Sequence, residues 1–268
     1  MTVNEIKNMT YTQFVAFIDQ WNVPPGALNT INQWAVMGHV GSNSNVLEIA
    51  CTTGLSSREI ARITGCSSAG VDICEDSIKS AKMNAEIYGK GLCLNYFCGD
   101  ACEYVTDEKF SHVIIGASLG FFREPKRMLD RITSFFGETG YLLASPYYRS
   151  ADMPNDLVKE CQRVIGITPT TTSYDSVRDM YSNFEVAYEN RCSIVIETNA
   201  QMEKYTLDSI ERACELRNVT SADIKKAMYD RLYEIKDVSN ELHKYQAYSV
   251  LVLRYLKGVY PNKFLELF

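Results

Sequence analysis

No run of roughly 18 apolar residues occurs in this chain, so no segment reads as a membrane-spanning helix. The opening residues, MTVNEIKNMT, lack a basic stretch followed by an apolar one, so no signal peptide is expected. Metal-ligand spacing is missing too. Cys98 and Cys102 have three residues between them and no second pair to complete a site, so no metal is expected. The nine cysteines are an odd count, and Cys51, Cys66, Cys74 and Cys93 sit among apolar neighbours. They read as reduced core thiols, which points to a cytoplasmic protein. Nor is there a dense Lys/Arg stripe, and the net charge is −6. That argues against a nucleic-acid partner, whose phosphates need cationic contacts. With 268 residues, 46% of them apolar, the chain can form one large domain, or one with a sizeable insertion.

What is present centres on residues 45–76, NVLEIACTTGLSSREIARITGCSSAGVDICED. Val46, Leu47 and Ile49 form a short apolar run that ends in Ala50-Cys51-Thr52-Thr53-Gly54. Ser56 is placed to cap the following helix, with Glu59 three residues on as its capping-box partner. A second run, Ala69-Gly70-Val71, ends on Asp72. A parallel unit of this kind binds its ligand at the carboxyl ends of the strands, beside the first helix N-terminus. An acid ending the second strand can accept both hydroxyls of a ribose, so a nucleoside-containing cofactor is expected. The dinucleotide fingerprint G-x-G-x-x-G fails, because Ala50, Thr52 and Leu55 stand at its glycine positions. This disfavours a nicotinamide oxidoreductase.

The same stretch resembles motif I of class I S-adenosylmethionine-dependent methyltransferases, V-L-[DE]-x-G-x-G-x-G. Val46, Leu47, Glu48 and Gly54 match it, while Ala50 and Thr52 replace glycines. Further matches follow in the family's order: Asp72 after strand two, Gly99-Asp100-Ala101 after strand three, and Gly137-Glu138-Thr139-Gly140 before strand five. The resemblance implies a Rossmann-like α/β fold, with a seven-stranded, mostly parallel sheet and helices on both faces. It also implies S-adenosylmethionine as cofactor, held by Glu48, Ala50, Thr52, Gly54, Asp72, Ile73, Asp100, Ala101, Ala117 and Ser118. Glu48 would orient the methionine end, Asp72 the ribose and Asp100 the adenine amino group. Ala117 and Ser118 would line the space by the methyl group.

Around this core, residues 1–41 are expected to form an N-terminal helical cap and residues 42–148 the cofactor-binding core. Residues 149–245 form a helical insertion carrying strand six, and 246–268 strand seven and the C-terminus. The spacing of Ile6, Met9, Phe14, Phe17, Ile18 and Trp21 predicts one helix over residues 1–22. Phe14, Phe17 and Trp21 next to the Pro24-Pro25-Gly26 break suggest a lid over the cofactor. Thr220 is placed to cap a long helix with Ile224, Met228, Leu232, Ile235, Val238, Leu242 and Tyr245 on one face. The insertion either roofs an acceptor pocket or forms a homodimer face.

Methyl transfer from a sulfonium is a direct displacement and draws much of its catalysis from orientation. The candidates for a proton acceptor are accordingly thin. Tyr147 and Tyr148 follow strand five, and His39 ends the second N-terminal helix, where a C-terminal cap is the plainer role. His112 lies inside strand four, and His243 falls in the late helix with no role assigned. The expected function is methyl transfer to a small molecule or short peptide. The alternatives are a non-catalytic S-adenosylmethionine-binding protein, or an RNA or protein methyltransferase.

Overall fold

Alternate residues of the central strands face two different helical layers, and that period of two sets the architecture. The computed structural model describes residues 1–258, so the end of the expected C-terminal segment lies outside the described residues. Strands β1 (Asn45–Ile49), β2 (Ser67–Asp72), β3 (Leu94–Cys98), β4 (His112–Gly116) and β5 (Thr139–Ala144) are parallel, in the spatial order 3-2-1-4-5. After β6 (Tyr147–Arg149) and β7 (Glu185–Ser193), the long β8 (Gln246–Leu256) pairs antiparallel with β5, β6 and β7. The sheet thus has eight strands rather than seven. The extra one arises because the chain, after Ser145-Pro146, stays extended and pairs Tyr147–Arg149 with the start of β8.

Helices α1 (Val3–Asn8), α2 (Tyr11–Phe17) and α3 (Ala27–Met37) precede β1, while α4 (Leu55–Thr64) and α5 (Glu75–Tyr88) follow β1 and β2. Helix α6 (Pro125–Phe135) leads into β5. On one face, Leu47, Ile49, Val113, Ile115 and Leu142 pack against Met128, Ile132 and Phe135 of α6. On the other, Val46, Ile114, Leu143, Val250 and Val252 pack against Ile31 and Trp34 of α3 and Ile60 of α4. Burying each such side chain is worth about 1.5–3 kcal/mol, so this two-sided core dominates the stability of the sheet.

The insertion adds α7 (Asn155–Val164), α8 (Tyr174–Met180), α9 (Asn199–Arg217) and α10 (Ala222–Leu242). Ile6 and Phe14 from the first two helices share one apolar core with Cys161, Ile210, Met228, Leu232 and Leu242. The N-terminal helices and the insertion therefore build a single roof over the sheet. Three local expectations are corrected. The single helix over residues 1–22 is two, because Thr10 starts a fresh capping box with Gln13 just after Met9 ends α1. Ser221, not Thr220, caps α10 by accepting from the Ile224 amide. Helix α9 was not anticipated, since its buried face includes Thr206 and Ser209, which break the apolar period. Among the described residues, no helix is long and apolar enough to cross a membrane.

Candidate functional site

The turn after β1 keeps a glycine-like backbone without the glycines. Ala50, Thr52 and Gly54 all adopt left-handed conformations, with φ of 54°, 47° and 75°. For a residue with a Cβ this costs roughly 1–2 kcal/mol. Surrounding bonds hold the turn in place. The Gly54 amide donates to Cys51 O at 2.8 Å, and the Thr52 amide donates to Asp72 Oδ2 at 2.9 Å. Thr53 Oγ1 donates to Gln20 O at 3.0 Å, and Asn84 Nδ2 donates to Thr53 O at 3.2 Å. The turn is thereby tied to β2, to α5 and to the segment after α2.

Gly54, not Ser56, is the N-cap of α4, and it offers no side-chain cap. The capping comes instead from Glu48 on β1, whose Oε2 accepts from the Ser57 amide at 2.9 Å. Glu48 is buried, and burial lifts its carboxyl to about 7 against the lowering effect of hydrogen bonds from Ser57 and Ser56. The first-turn amides of Leu55 and Ser56 have no intrahelical acceptor, so this helix end can take an anionic group.

Asp72 is also buried, and burial raises its carboxyl while bonds from the Cys74 and Thr52 amides oppose the rise. Its Oδ1 accepts from Cys74 at 2.8 Å. Each oxygen keeps a lone pair for a further donor. Next to it Ile73 is 74% exposed, an apolar surface beside a polar grip. Asp100 is exposed after β3, where its Oδ1 accepts from the Cys102 amide at 2.8 Å, and Ala101 packs into the core beneath. After β4, Ser118 Oγ donates to Ile115 O at 2.6 Å.

A cavity of about 270 Å³ opens at these strand ends. Glu48, Ala50, Thr52, Ala117 and Ser118 form its floor, and Tyr11, Pro25, Ile165, Leu242 and His243 form its roof. Asp72, Ile73, Asp100 and Ala101 do not line it; they stand at the ends of the adjoining strands, linked to the floor by the Thr52–Asp72 bond. A larger groove of about 730 Å³ runs between α1, α2 and α5 and holds none of the predicted site residues. Five of the ten expected cofactor residues, Glu48, Ala50, Thr52, Ala117 and Ser118, line the smaller cavity instead.

Of the three sequence candidates for a proton acceptor, Tyr147 lines the cavity, where burial pushes its hydroxyl up. Tyr148 does not line it. Its ring is buried in the core beside Tyr174, with Arg191 Nε donating to its hydroxyl at 3.4 Å. His39 is exposed at the end of α3 with φ of 55°, edge-on to Tyr141 and away from the cavity. His112 is buried between Ser111 Oγ and Gly38 O, a satisfied core histidine. Sequence reasoning missed Tyr11 and His243. No local motif marks them, because α2 and the end of α10 meet the site only through the shared roof.

Among known proteins, residues 46–140 match a family model described as a methyltransferase domain. An uncharacterized protein of Haemophilus influenzae is 22% identical over 171 residues, 63% of this chain and 68% of that protein. The crystal structure of MccD protein superposes with a TM-score of 0.71 at 24% identity, covering 87% of this chain and 99% of that one. A methyltransferase from Geobacter sulfurreducens, in complex with S-adenosyl-L-homocysteine, superposes with a TM-score of 0.67 at 15% identity. That likeness covers 90% of this chain and 96% of the other. The structural likenesses establish the fold, and the family match falls on the strands that carry Glu48 and Asp72. On these grounds residues 46–140 are similar to a methyltransferase domain, and the chain as a whole shares its fold with the solved methyltransferase structure.

Proposed function

We propose that this enzyme methylates a small molecule or a short peptide, with its cofactor laid along the ends of β1, β2 and β3. The observation that carries the reading is the size and position of the cavity: about 270 Å³, at the strand ends beneath a helical roof. A folded protein or a nucleic-acid duplex does not fit such a space, and the net charge of −6 offers phosphates no general attraction.

The residues suit the cofactor's parts. Glu48 faces the cavity as a buried carboxylate able to pair with an ammonium, and the free amides of Leu55 and Ser56 suit a carboxylate. Asp72 has lone pairs left for ribose hydroxyls, and Asp100 is placed for an adenine amino group with Ile73 and Ala101 beside it. Ala117 and Ser118 are small, leaving room at the reacting end. When bound, S-adenosylmethionine supplies a methyl group already activated by the sulfonium. The protein's contribution is then to align the acceptor and exclude water. Ala50 and Thr52, whose side chains motivated a non-catalytic alternative, retain the left-handed backbone of a glycine turn, which favours a working site.

The experiment is calorimetric titration with S-adenosylhomocysteine, followed by a turnover screen over amines, phenols and carboxylates. Micromolar binding and product formation with a small acceptor are expected. Turnover confined to RNA or to folded protein would overturn the substrate class.

A further inference from the structure

Two tyrosines reach the cavity, one from the roof and one from the sheet. Tyr11 opens α2 and packs against the core of the roof, while Tyr147 opens β6. Both line the cavity. Both are half-buried, and neither hydroxyl has a hydrogen-bond partner among the described residues or is sealed away from open space. The Tyr181 hydroxyl, by contrast, is unpartnered and fully enclosed. Burial pushes Tyr11 up to about 12 and raises Tyr147 as well, with Tyr11 the next largest influence on Tyr147. The two therefore lie near each other, and at neutral pH each keeps an O–H to donate.

Other polar groups of the lining are already engaged. Ser118, Ser239 and Gln246 donate to the main-chain oxygens of Ile115 at 2.6 Å, Ile235 at 2.7 Å and Thr170 at 3.2 Å. Thr52 and Ser56 belong to the turn and helix end assigned to the cofactor. The tyrosine hydroxyls have no such task in the fold. Around them Pro25, Ile115, Ile165, Ile167 and Leu242 give apolar walls.

Charge narrows what the two hydroxyls hold. The described lining has Glu48 as its one acid and no Lys or Arg. The cation nearest a bound acceptor is then the sulfonium of the cofactor, which attracts an anionic oxygen and repels an ammonium. Two single donors on separate elements match the two oxygens of a carboxylate, and hydrogen bonds to an ionised partner are the stronger kind. A phosphate dianion would bring a second charge that no side chain here offsets.

Resting on the methyl-transfer reading above, we infer that Tyr11 and Tyr147 are the acceptor-binding pair, and that the acceptor is a small apolar molecule whose carboxylate their hydroxyls hold. The pair sets specificity and position, and no bond is made or broken at it.

The test is calorimetry on the full chain saturated with sinefungin, whose amine places a positive charge near the site of the sulfonium. The probes are benzoate, benzyl alcohol and benzylamine. Benzoate should bind about tenfold or more tighter than either of the others. Tyr11→Phe and Tyr147→Phe each remove only a hydroxyl, and each should weaken benzoate about tenfold and narrow its lead over benzyl alcohol. S-adenosylhomocysteine affinity and melting temperature should stay at wild-type values, because neither hydroxyl has a protein partner to lose. Benzoate that fails to bind, binds no better than benzyl alcohol, or binds both variants as it binds the wild type overturns the assignment. So does a loss of benzoate accompanied by a fall in melting temperature or cofactor affinity, which marks a structural role. The order of the three probes on the wild type decides the matter even if a variant folds poorly. Failure of both sinefungin and S-adenosylhomocysteine to bind would instead strike the methyl-transfer reading itself.

Discussion

The Thr52 amide donates a 2.9 Å hydrogen bond to Asp72 Oδ2, fastening the turn after β1 to the acid that ends β2. The bond holds Thr52 in the left-handed region, and it also orients the carboxylate assigned to the ribose. One residue pair thus serves the stability of the turn and the shape of the proposed cofactor site.

Glycine at the two substituted turn positions should stabilise the protein. Relief of the left-handed strain at Ala50 and Thr52 is worth roughly 1–2 kcal/mol each, and glycine's extra unfolded-state freedom takes back about 0.5–1 kcal/mol. Each of Ala50→Gly and Thr52→Gly should therefore raise the melting temperature by roughly 2–4 °C. Thermal unfolding checks this; a lowered melting temperature would show that the side chains contribute packing that outweighs the strain.

Asp72→Ala removes the acceptor for two backbone amides, Thr52 and Cys74, as well as the proposed ribose contact. It should cost roughly 1.5–3 kcal/mol of stability for each charge-assisted bond, besides weakening the cofactor. Asp72→Asn keeps one acceptor oxygen and should unfold less readily than the alanine variant. Its S-adenosylhomocysteine affinity should still fall about tenfold. Denaturant unfolding and calorimetry on both variants separate the two roles.

Glu48 gives the site a defined pH dependence. Its carboxyl ionises near 4.5 in the unfolded chain and at about 7 in the fold, so between those values the native state holds a proton that the unfolded state has lost. Stability without ligand should fall as pH rises through that window and level off above it. A bound ammonium favours the carboxylate, so cofactor binding should release a proton and weaken by up to about tenfold per unit below pH 7. Calorimetry in buffers of different ionisation enthalpy measures the proton count. Glu48→Gln should abolish it.

Asp19 fastens the N-terminal part of the roof to the site. It is fully buried, accepts from Asn84 Nδ2 at 2.9 Å, and its backbone carbonyl accepts from Arg212 at 2.8 Å. Burial raises its carboxyl, while Asn84, Arg212, Arg217 and Arg58 act to lower it. Removing the side chain leaves those cations less compensated and puts alanine at a φ of 50°. Asp19→Ala should cost roughly 1–3 kcal/mol for the lost hydrogen bond, read from denaturant midpoints. Asp19→Asn, which tolerates the backbone and keeps an acceptor, should cost less.

The strands and their terminal acids were legible because each is a local pattern: Val46-Leu47-Glu48 and Val71-Asp72 state both the strand and its polar end within a few residues. Asp100 after β3 was legible for the same reason. The cap on α4 was not, since Glu48 reaches Ser57 through space from another element, and a plausible serine stood nearer in sequence. The roof was only half legible. The apolar spacing of α10 was plain, but α9 buries hydroxyls, and the fusion of α1 and α2 with the insertion depends on contacts some two hundred residues apart, such as Arg217 to Ala16. Tyr11 and His243 belong to that unseen part.

The most direct measurement is a crystal structure of the protein with S-adenosylhomocysteine bound. Its ribose hydroxyls are expected on Asp72 and its amino-acid end between Glu48 and the first turn of α4, with the sulfur facing the cavity beneath Tyr11 and His243. Ligand found instead in the groove between α1, α2 and α5, or at the strand ends but touching neither Glu48 nor Asp72, would contradict the assigned site.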